Sequence, residues 1–492
     1  MDLNIIHRLE VFKMKKNGIS FLVKSICKDL KNILSTSRIN EIARQSKFIQ
    51  RYSKKINALN FLKLTAFYGK NICTESLANL CNSLYDNDNI SISSQALDER
   101  FNSKAVEFLK LIFLDLLALK IKKSLKFNND FNRIMITDST AFQLPDKFEK
   151  LFKGFNGSAT KSGLKIQLTN DLMTGNILGL EISDVTSSDG KHLKTLESNT
   201  ETKDLAIKDL GYYSLKHFSV IEKLDSYYVS RLKLNTSVYI KNEKPEKFKT
   251  TGNTKKSSEF IRLDLLIIAN KLKENEIKEM EVYIGDKENS YSPLKTRLII
   301  YKLSKELSDK KREHQISVEK KKQIPTSKKV IKLNTVNMFI TNIEEEVLSK
   351  ELIYLLYSLR WQIELIFKVW KSIYSIDKLH LVKNDRFLCH LYGTLISILM
   401  STKFVFTIRN NIHNFLGKEI SEYKTFKTIH EFSKSLGEAL LKSFPKPNNI
   451  LTKIIELTLK NGIKSRKNPK KTSLEILSLV NLESKMKMMK TA

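Results

Sequence analysis

The segment 357–371, YSLRWQIELIFKVWK, constrains the fold more than any other stretch of the chain. It is apolar almost throughout, yet it carries a tyrosine, an arginine, a glutamate and two lysines. Wound as an α-helix at about 100° per residue, with Tyr357 at zero, Arg360 falls near −60°, Glu364 near −20°, Lys371 near −40° and Lys368 near +20°. These side chains share one stripe roughly 80° wide, while Leu356, Leu359, Ile363, Ile366, Phe367, Val369 and Trp370 spread over the remaining arc. Such a helix needs burial on most sides, so the chain must supply other layers around it. An Arg360–Glu364 pair at i,i+4 spacing on a solvated face is the simplest reading of the stripe. One acid among three bases over about 21 Å is also a layout that holds a metal and a polyanion together.

Charge narrows the partners. Lysine and arginine total 85 against 53 acids, a formal net charge of +32, with denser runs at 320–332 and 464–471. A surplus of that size favours a polyanion, usually nucleic acid. The cysteines Cys27, Cys73, Cys81 and Cys389 have no CxxC spacing, so neither a zinc site nor a disulfide framework is indicated, and they read as buried thiols in a reducing compartment. The N-terminus MDLNIIHRLEVFKMKKNG lacks the apolar core of a signal peptide. The apolar runs 109–121 and 391–408 are interrupted by Asp115 and Lys403 and are short for a membrane span, which predicts core helices of a cytoplasmic protein with no membrane partner.

The rhythm of the chain predicts an α/β (α+β) fold. Residues 1–125 read as a helical N-terminal region that binds DNA, with Ser93 or Ser94 and Ser103 as helix caps. Residues 126–234 alternate strand and helix signals: FNRIMITDST, a hairpin over 164–182 turning near Gly175, a helix in KHLKTLESNT, a strand in DLAIKDLGYY, a helix in KHFSVIEKLDS, and the strand YYVSRLKL. Residues 235–335 break this rhythm with strand-like MEVYIG and TRLIIYKL and a lysine-rich stretch at 308–329, and read as an insertion with its own strands and a basic mobile loop. Residues 336–385 carry the striped helix, and 386–492 form a helical, basic C-terminal region.

Two acids sit where an apolar run gives way to a loop signal, Asp138 closing RIMITD and Asp209 closing LAIKD. Acids at the C-terminal ends of adjacent strands can converge at one sheet edge, and with Glu364 they would form a three-carboxylate, all-oxygen site suited to Mg²⁺ or Mn²⁺. Each has a plainer reading as a turn residue, and Asp184 and Asp189 in ISDVTSSDG are rivals that spacing alone does not separate.

The striped segment follows the pattern Tyr-x2-Arg-x3-Glu-x6-Lys at Tyr357, Arg360, Glu364 and Lys371, with ITNI before it and DKLH after it. This resembles the YREK signature of a large group of bacterial insertion-sequence DDE transposases, as do MITDSTAFQLP, GSATKSGLKIQLTNDLMTG and the Asp-x-Gly-Tyr of DLGYY. The resemblance covers most of 90–400. It implies an RNase H-like mixed sheet with flanking helices, interrupted by a strand-rich insertion. It implies cut-and-paste movement of a DNA element, with two Mg²⁺ ions, replaceable by Mn²⁺, on Asp138, Asp209 and Glu364. Tyr357 would lie near a displaced nucleotide, and Arg360 and Lys371 would hold phosphates, with Trp361, Lys368 and Arg231 as further DNA contacts. It also implies double-stranded DNA as partner, both the inverted-repeat ends and the target, a homodimer in the DNA complex, and a place on the nucleoid. His380 and His390 read as structural. Two rival readings stay open on the sequence: a catalytically silent or repurposed DNA-end-binding protein, and an RNase H-like nuclease without strand transfer.

Overall fold

A computed structural model describes Gly18 and residues 28–491, apart from 31, 51–54, 122–124, 126–129, 156–159, 256–257, 286–292, 324, 326, 443–446 and 465–469. The N-terminal segment, Cys27 and most of the basic run at 464–471 therefore lie outside the described residues.

Helices α1 (Thr36–Gln45), α2 (Ala58–Ala66), α3 (Leu77–Asp88), α4 (Ser94–Arg100) and α5 (Ser103–Ala118) precede the sheet. Ser93 caps α4, its hydroxyl accepting from the Ala96 amide at 3.3 Å. The cap of α5 is Asn102 rather than Ser103. Asn102 has extended backbone, and its carboxamide oxygen accepts from the amides of Lys104 and Ala105, both at 3.1 Å. One side chain thereby satisfies two of the amides that a helix start leaves unpaired, which a serine inside the first turn cannot do.

Ten strands form one sheet in the order β3-β2-β1-β4-β5-β10-β9-β8-β6-β7. Its first half comprises β1 (Arg133–Leu144), β2 (Ser162–Asp171), β3 (Ile177–Asp184), β4 (Asp204–Lys208) and β5 (Tyr227–Arg231). β1 is antiparallel to β2 and parallel to β4, and β4 is parallel to β5, the mixed pattern of an RNase H-like sheet. Between β3 and β4 lies α6 (Leu193–Asn199), and between β4 and β5 lies α7 (Leu215–Lys223). The β2–β3 turn is fixed by Asp171, whose carboxylate accepts from the amides of Met173 (3.0 Å) and Thr174 (3.2 Å), and by Gly175 at φ +80°.

The insertion does not build a sheet of its own. β6 (Val238–Lys241), β7 (Phe260–Arg262), β8 (Ile277–Ile284) and β9 (Leu294–Lys302) extend the same sheet through β10 (Val336–Thr341), with α8 (Leu265–Lys271) packed on them. The lysine-rich stretch is not a loop either. It begins as α9 (Lys305–Lys322) and, after a short link, continues as α10 (Lys328–Leu333). Ser304 caps α9, Glu306 pairs with Lys310 at 2.6 Å, and Ser308, Lys311, Gln315, Val318 and Glu319 are partly buried at helical spacing while the residues between them stay exposed. Lysine, glutamate and arginine are strong helix formers, and a dense run of them needs only one anchored stripe to stay helical.

Strand alternation divides the core in two. Ile134 and Ile136 of β1, Leu205 and Ile207 of β4, Val229 of β5 and Phe339 of β10 face the larger core. That core also takes in α11 (Lys350–Ser358), α12 (Trp361–Ser372), α13 (Asn384–Leu416), α14 (Glu422–Glu431), α15 (Ser433–Lys442), α16 (Pro447–Asn461) and α17 (Ser473–Thr491). Met135, Ala206, Tyr228, Met338 and Ile340 face the smaller core under α7 and α8. By length and composition α13 could cross a membrane, but 83% of its apolar window is buried within the protein, as a core helix would be.

Candidate active site

The larger core ends in a row of polar side chains. The parallel pairing of β1 with β4 stops at Thr137 opposite Lys208, and that of β4 with β5 at Lys208 opposite Ser230. The next residues, Asp138, Asp209 and Arg231, are therefore neighbours across the sheet, and alternation turns all three to the face of α11 and α12. Asp138 is not at a strand end, as the sequence suggested, because β1 runs on to Leu144. It keeps its pairing with β2, where Asp138 opposes Leu168, after β4 has finished. Asp209 opens a 3₁₀ turn over Leu210–Tyr212.

The striped segment is two helices rather than one. Between α11 and α12 the amides of Leu359, Arg360, Gln362 and Ile363 each bond the carbonyl three residues back, at 3.0–3.2 Å. This 3₁₀ step stacks residues three apart above one another, so Tyr357 and Arg360 approach the strand ends together. The Tyr357 hydroxyl donates to Asp209 Oδ1 at 3.4 Å, and burial together with Asp209 pushes its pKa up to about 12. Arg360 lies among all three acids: Nη1 is 3.2 Å from Asp138 Oδ2, Nη2 is 3.0 Å from Glu364 Oε1, and Nε is 3.7 Å from Asp209 Oδ1. The Nε proton is buried and has no hydrogen-bond acceptor.

Burial raises the pKa of Asp138 from 3.8 to about 6. The Ser139 amide and Arg360 oppose that rise, while Asp209 and Glu364 add to it. The donor set is all oxygen, which suits a hard divalent cation. One guanidinium reaches all three carboxylates, and the raised Asp138 pKa comes first from burial, with Asp209 and Glu364 adding to it. With Arg360 between them, no three His, Cys, Asp or Glu side chains among the described residues stand close enough together to ligate one ion.

The other candidates are more scattered. Lys371 reaches along β1, its Nζ donating to the Ala141 carbonyl at 3.2 Å. Trp361 is 59% exposed, and its ring lies 5.3 Å from the Arg360 guanidinium carbon. Lys368 points away, over the Tyr423 ring at 5.6 Å. His390 is buried on α13 beside Thr394. Of the rival acids, Asp184 accepts from the Thr186 amide within its own loop at 3.0 Å. Asp189 is held behind the sheet by Gln167 (2.8 Å), Lys165 (3.3 Å) and Ser139 (3.4 Å). Its carboxylate lies over Gly211, where a Cβ would come within 3.1 Å of Oδ2, and the buried Tyr212 hydroxyl donates to Gln167. The Gly-Tyr after Asp209 is thus shaped to seat this network, a support that the sequence signalled only through those two residues.

The family model described as Transposase DDE domain matches residues 129–400, a span containing all three acids. The chain is 39% identical over 469 residues to the transposase for insertion sequence element IS1151 of Clostridium perfringens, covering 94% of this chain and 98% of that one. It is 36% identical over 457 residues to the transposase for IS231E of Bacillus thuringiensis subsp. finitimus (92% and 94% covered), and 35% identical over 452 residues to that for IS231B of subsp. berliner (91% and 93% covered). This chain is an insertion-sequence transposase of the DDE family. Membership makes the transposase a DNA-acting, divalent-metal-dependent enzyme, which agrees with the excess of bases and the all-oxygen acid cluster.

Proposed function

We propose that this transposase cleaves DNA at the inverted-repeat ends of its element and joins the freed 3′-hydroxyl to target DNA, with Asp138, Asp209 and Glu364 as ligands of two Mg²⁺ ions that Mn²⁺ can replace. The observation that carries this reading is the convergence of three sequence-distant carboxylates on one guanidinium. Ions bound there supply Lewis acidity to the attacking and leaving oxygens. The protein's part is positioning: Asp138 and Asp209 are set by adjacent strands and Glu364 by a packed helix, and Arg360 has to withdraw from between them for the carboxylates to close on metal.

Arg360, with a buried N–H still lacking an acceptor, turns to a backbone phosphate when metal takes the carboxylates, and Lys371 holds a second phosphate. Tyr357 and Trp361 provide aromatic surface for a displaced base, with Lys368 and Arg231 on the flanks. The helices within 1–125 bind DNA beyond the cleavage point, and two copies of the chain bring two ends together on the nucleoid.

A supercoiled plasmid carrying the cognate ends tests this. With Mg²⁺ the native chain gives cleavage and strand transfer, while Asp138→Ala loses both and keeps end binding. Undiminished cleavage by that variant removes Asp138 from the mechanism, and cleavage without joined products leaves a nuclease.

A further inference from the structure

The row of strand ends continues past the acids. Arg231 follows Asp138 and Asp209 on the same face, and with strands about 4.8 Å apart its backbone lies about 5 Å from that of Asp209 and about 10 Å from that of Asp138. Across the next pairing Arg231 opposes Phe339 of β10, whose ring is 5.0 Å from that of Tyr357. Two residues earlier on β10, Asn337 shares that face, and there α9 delivers a second cation. Lys311 Nζ donates to Asn337 Oδ1 at 3.1 Å and to the Val336 carbonyl at 2.9 Å.

We propose that Arg231 and Lys311 together form a subsite for a DNA backbone phosphate next to the metal centre, so that the insertion, through α9, grips the strand being cut. This rests on the end-cleavage reading proposed above and extends it to α9, which that reading leaves without a role. Four observations converge. Neither side chain is ion-paired among the described residues. An ammonium has three donors, and the two bonds of Lys311 leave one to spare. Burial first, and the nearby Arg231 second, lower the Lys311 pKa to about 8, which places the two cations close enough to feel each other. Finally, Arg312 beside it is exposed, which extends the positive edge outward along α9.

Binding of a duplex ending in the inverted repeat that flanks the coding sequence, measured against salt concentration, tests the subsite. Lys311→Met keeps the buried stem and removes the charge. It should weaken binding about tenfold, as losing one charge-assisted contact does. It should also flatten the slope of log affinity against log salt by about 0.9. Lys311→Arg should stay near the native value, which separates loss of charge from loss of fold. Replacing backbone phosphates one at a time by neutral methylphosphonates should reveal a position that weakens the native chain but not Lys311→Met. An unchanged slope in Lys311→Met, or no such position, overturns the subsite. If the native chain itself fails to prefer the repeat over a scrambled duplex, the end-cleavage reading proposed above fails instead.

Discussion

Asp138 gives a prediction in which stability and activity move in opposite directions. Its carboxyl titrates at about 6 in the folded protein against an ordinary 3.8. A shift of about two units corresponds to about 3 kcal/mol. The side chain is 22% exposed, so solvent screening reduces this to about 1–2 kcal/mol. Because the folded-state value is raised, the native state holds a proton that the unfolded chain has lost. Stability from this group therefore falls as pH rises from about 4 to 6, and the penalty is complete above 6. Asp138→Asn removes the charge and leaves an oxygen to accept from the Ser139 amide, now at 2.8 Å. In chelator at pH 8 the variant should melt higher than the native chain, by about 1–4 °C for a chain of this size. The advantage should vanish at pH 4. Saturating divalent metal should reverse the order, since only the native chain gains from binding, by about 2.7 kcal/mol at a hundredfold excess over Kd. Melts by circular dichroism across this pH range are sufficient. An Asn variant that melts lower in chelator at pH 8, or whose advantage is the same at pH 4, refutes the view that this carboxylate is held under electrostatic stress.

Two further predictions concern the scaffold. Lys208, buried on the opposite face of the sheet, has its pKa lowered by burial to about 7, so its folded form prefers to be neutral and native stability rises with pH from about 7 to 10.5. Lys208→Met should stabilise the protein at neutral pH by about 1–3 kcal/mol and flatten that rise in urea titrations. Gly175→Ala places a Cβ 2.0–2.5 Å from atoms of Phe406 on α13 and forces a residue at φ +80°, so it should cost about 2–4 kcal/mol, read as a lower denaturant midpoint with an unchanged m-value.

The elements were legible where one physical signal ruled. Alternating or continuous apolar runs located β4, β5, β8 and β9, and Gly175 marked the hairpin. Legibility failed where pairing overrode local signal. β1 continues through the polar Asp138, Ser139 and Thr140 because β2 supplies a matched ladder as far as Leu144. The α11–α12 step contains neither Gly nor Pro, and i→i+3 bonding leaves no compositional mark. α9 resembled a loop because charge density conceals helix propensity when the inward stripe includes a lysine.

The site shows the same division at longer range. Periodicity put Arg360 and Glu364 on one line, and their contact at 3.0 Å follows from that spacing. Nothing local ties either residue to Asp138, yet Arg360 meets it across 222 positions of sequence. That meeting depends on sheet order, because an acid one residue past the end of β4 pairing lies beside Asp209 only if β1 and β4 are adjacent and parallel. Sheet order also separates the rivals. Asp189 follows β3, and its carboxylate is occupied behind the sheet by Gln167, Lys165 and Ser139. Among the described residues, Asp209 has only the Tyr357 hydroxyl at 3.4 Å and a guanidinium nitrogen at 3.7 Å. A carboxylate so weakly held retains lone pairs for an incoming cation, whereas one saturated by protein donors does not. What sets these two nearby acids apart is therefore hydrogen-bond saturation, which depends on the folded neighbours.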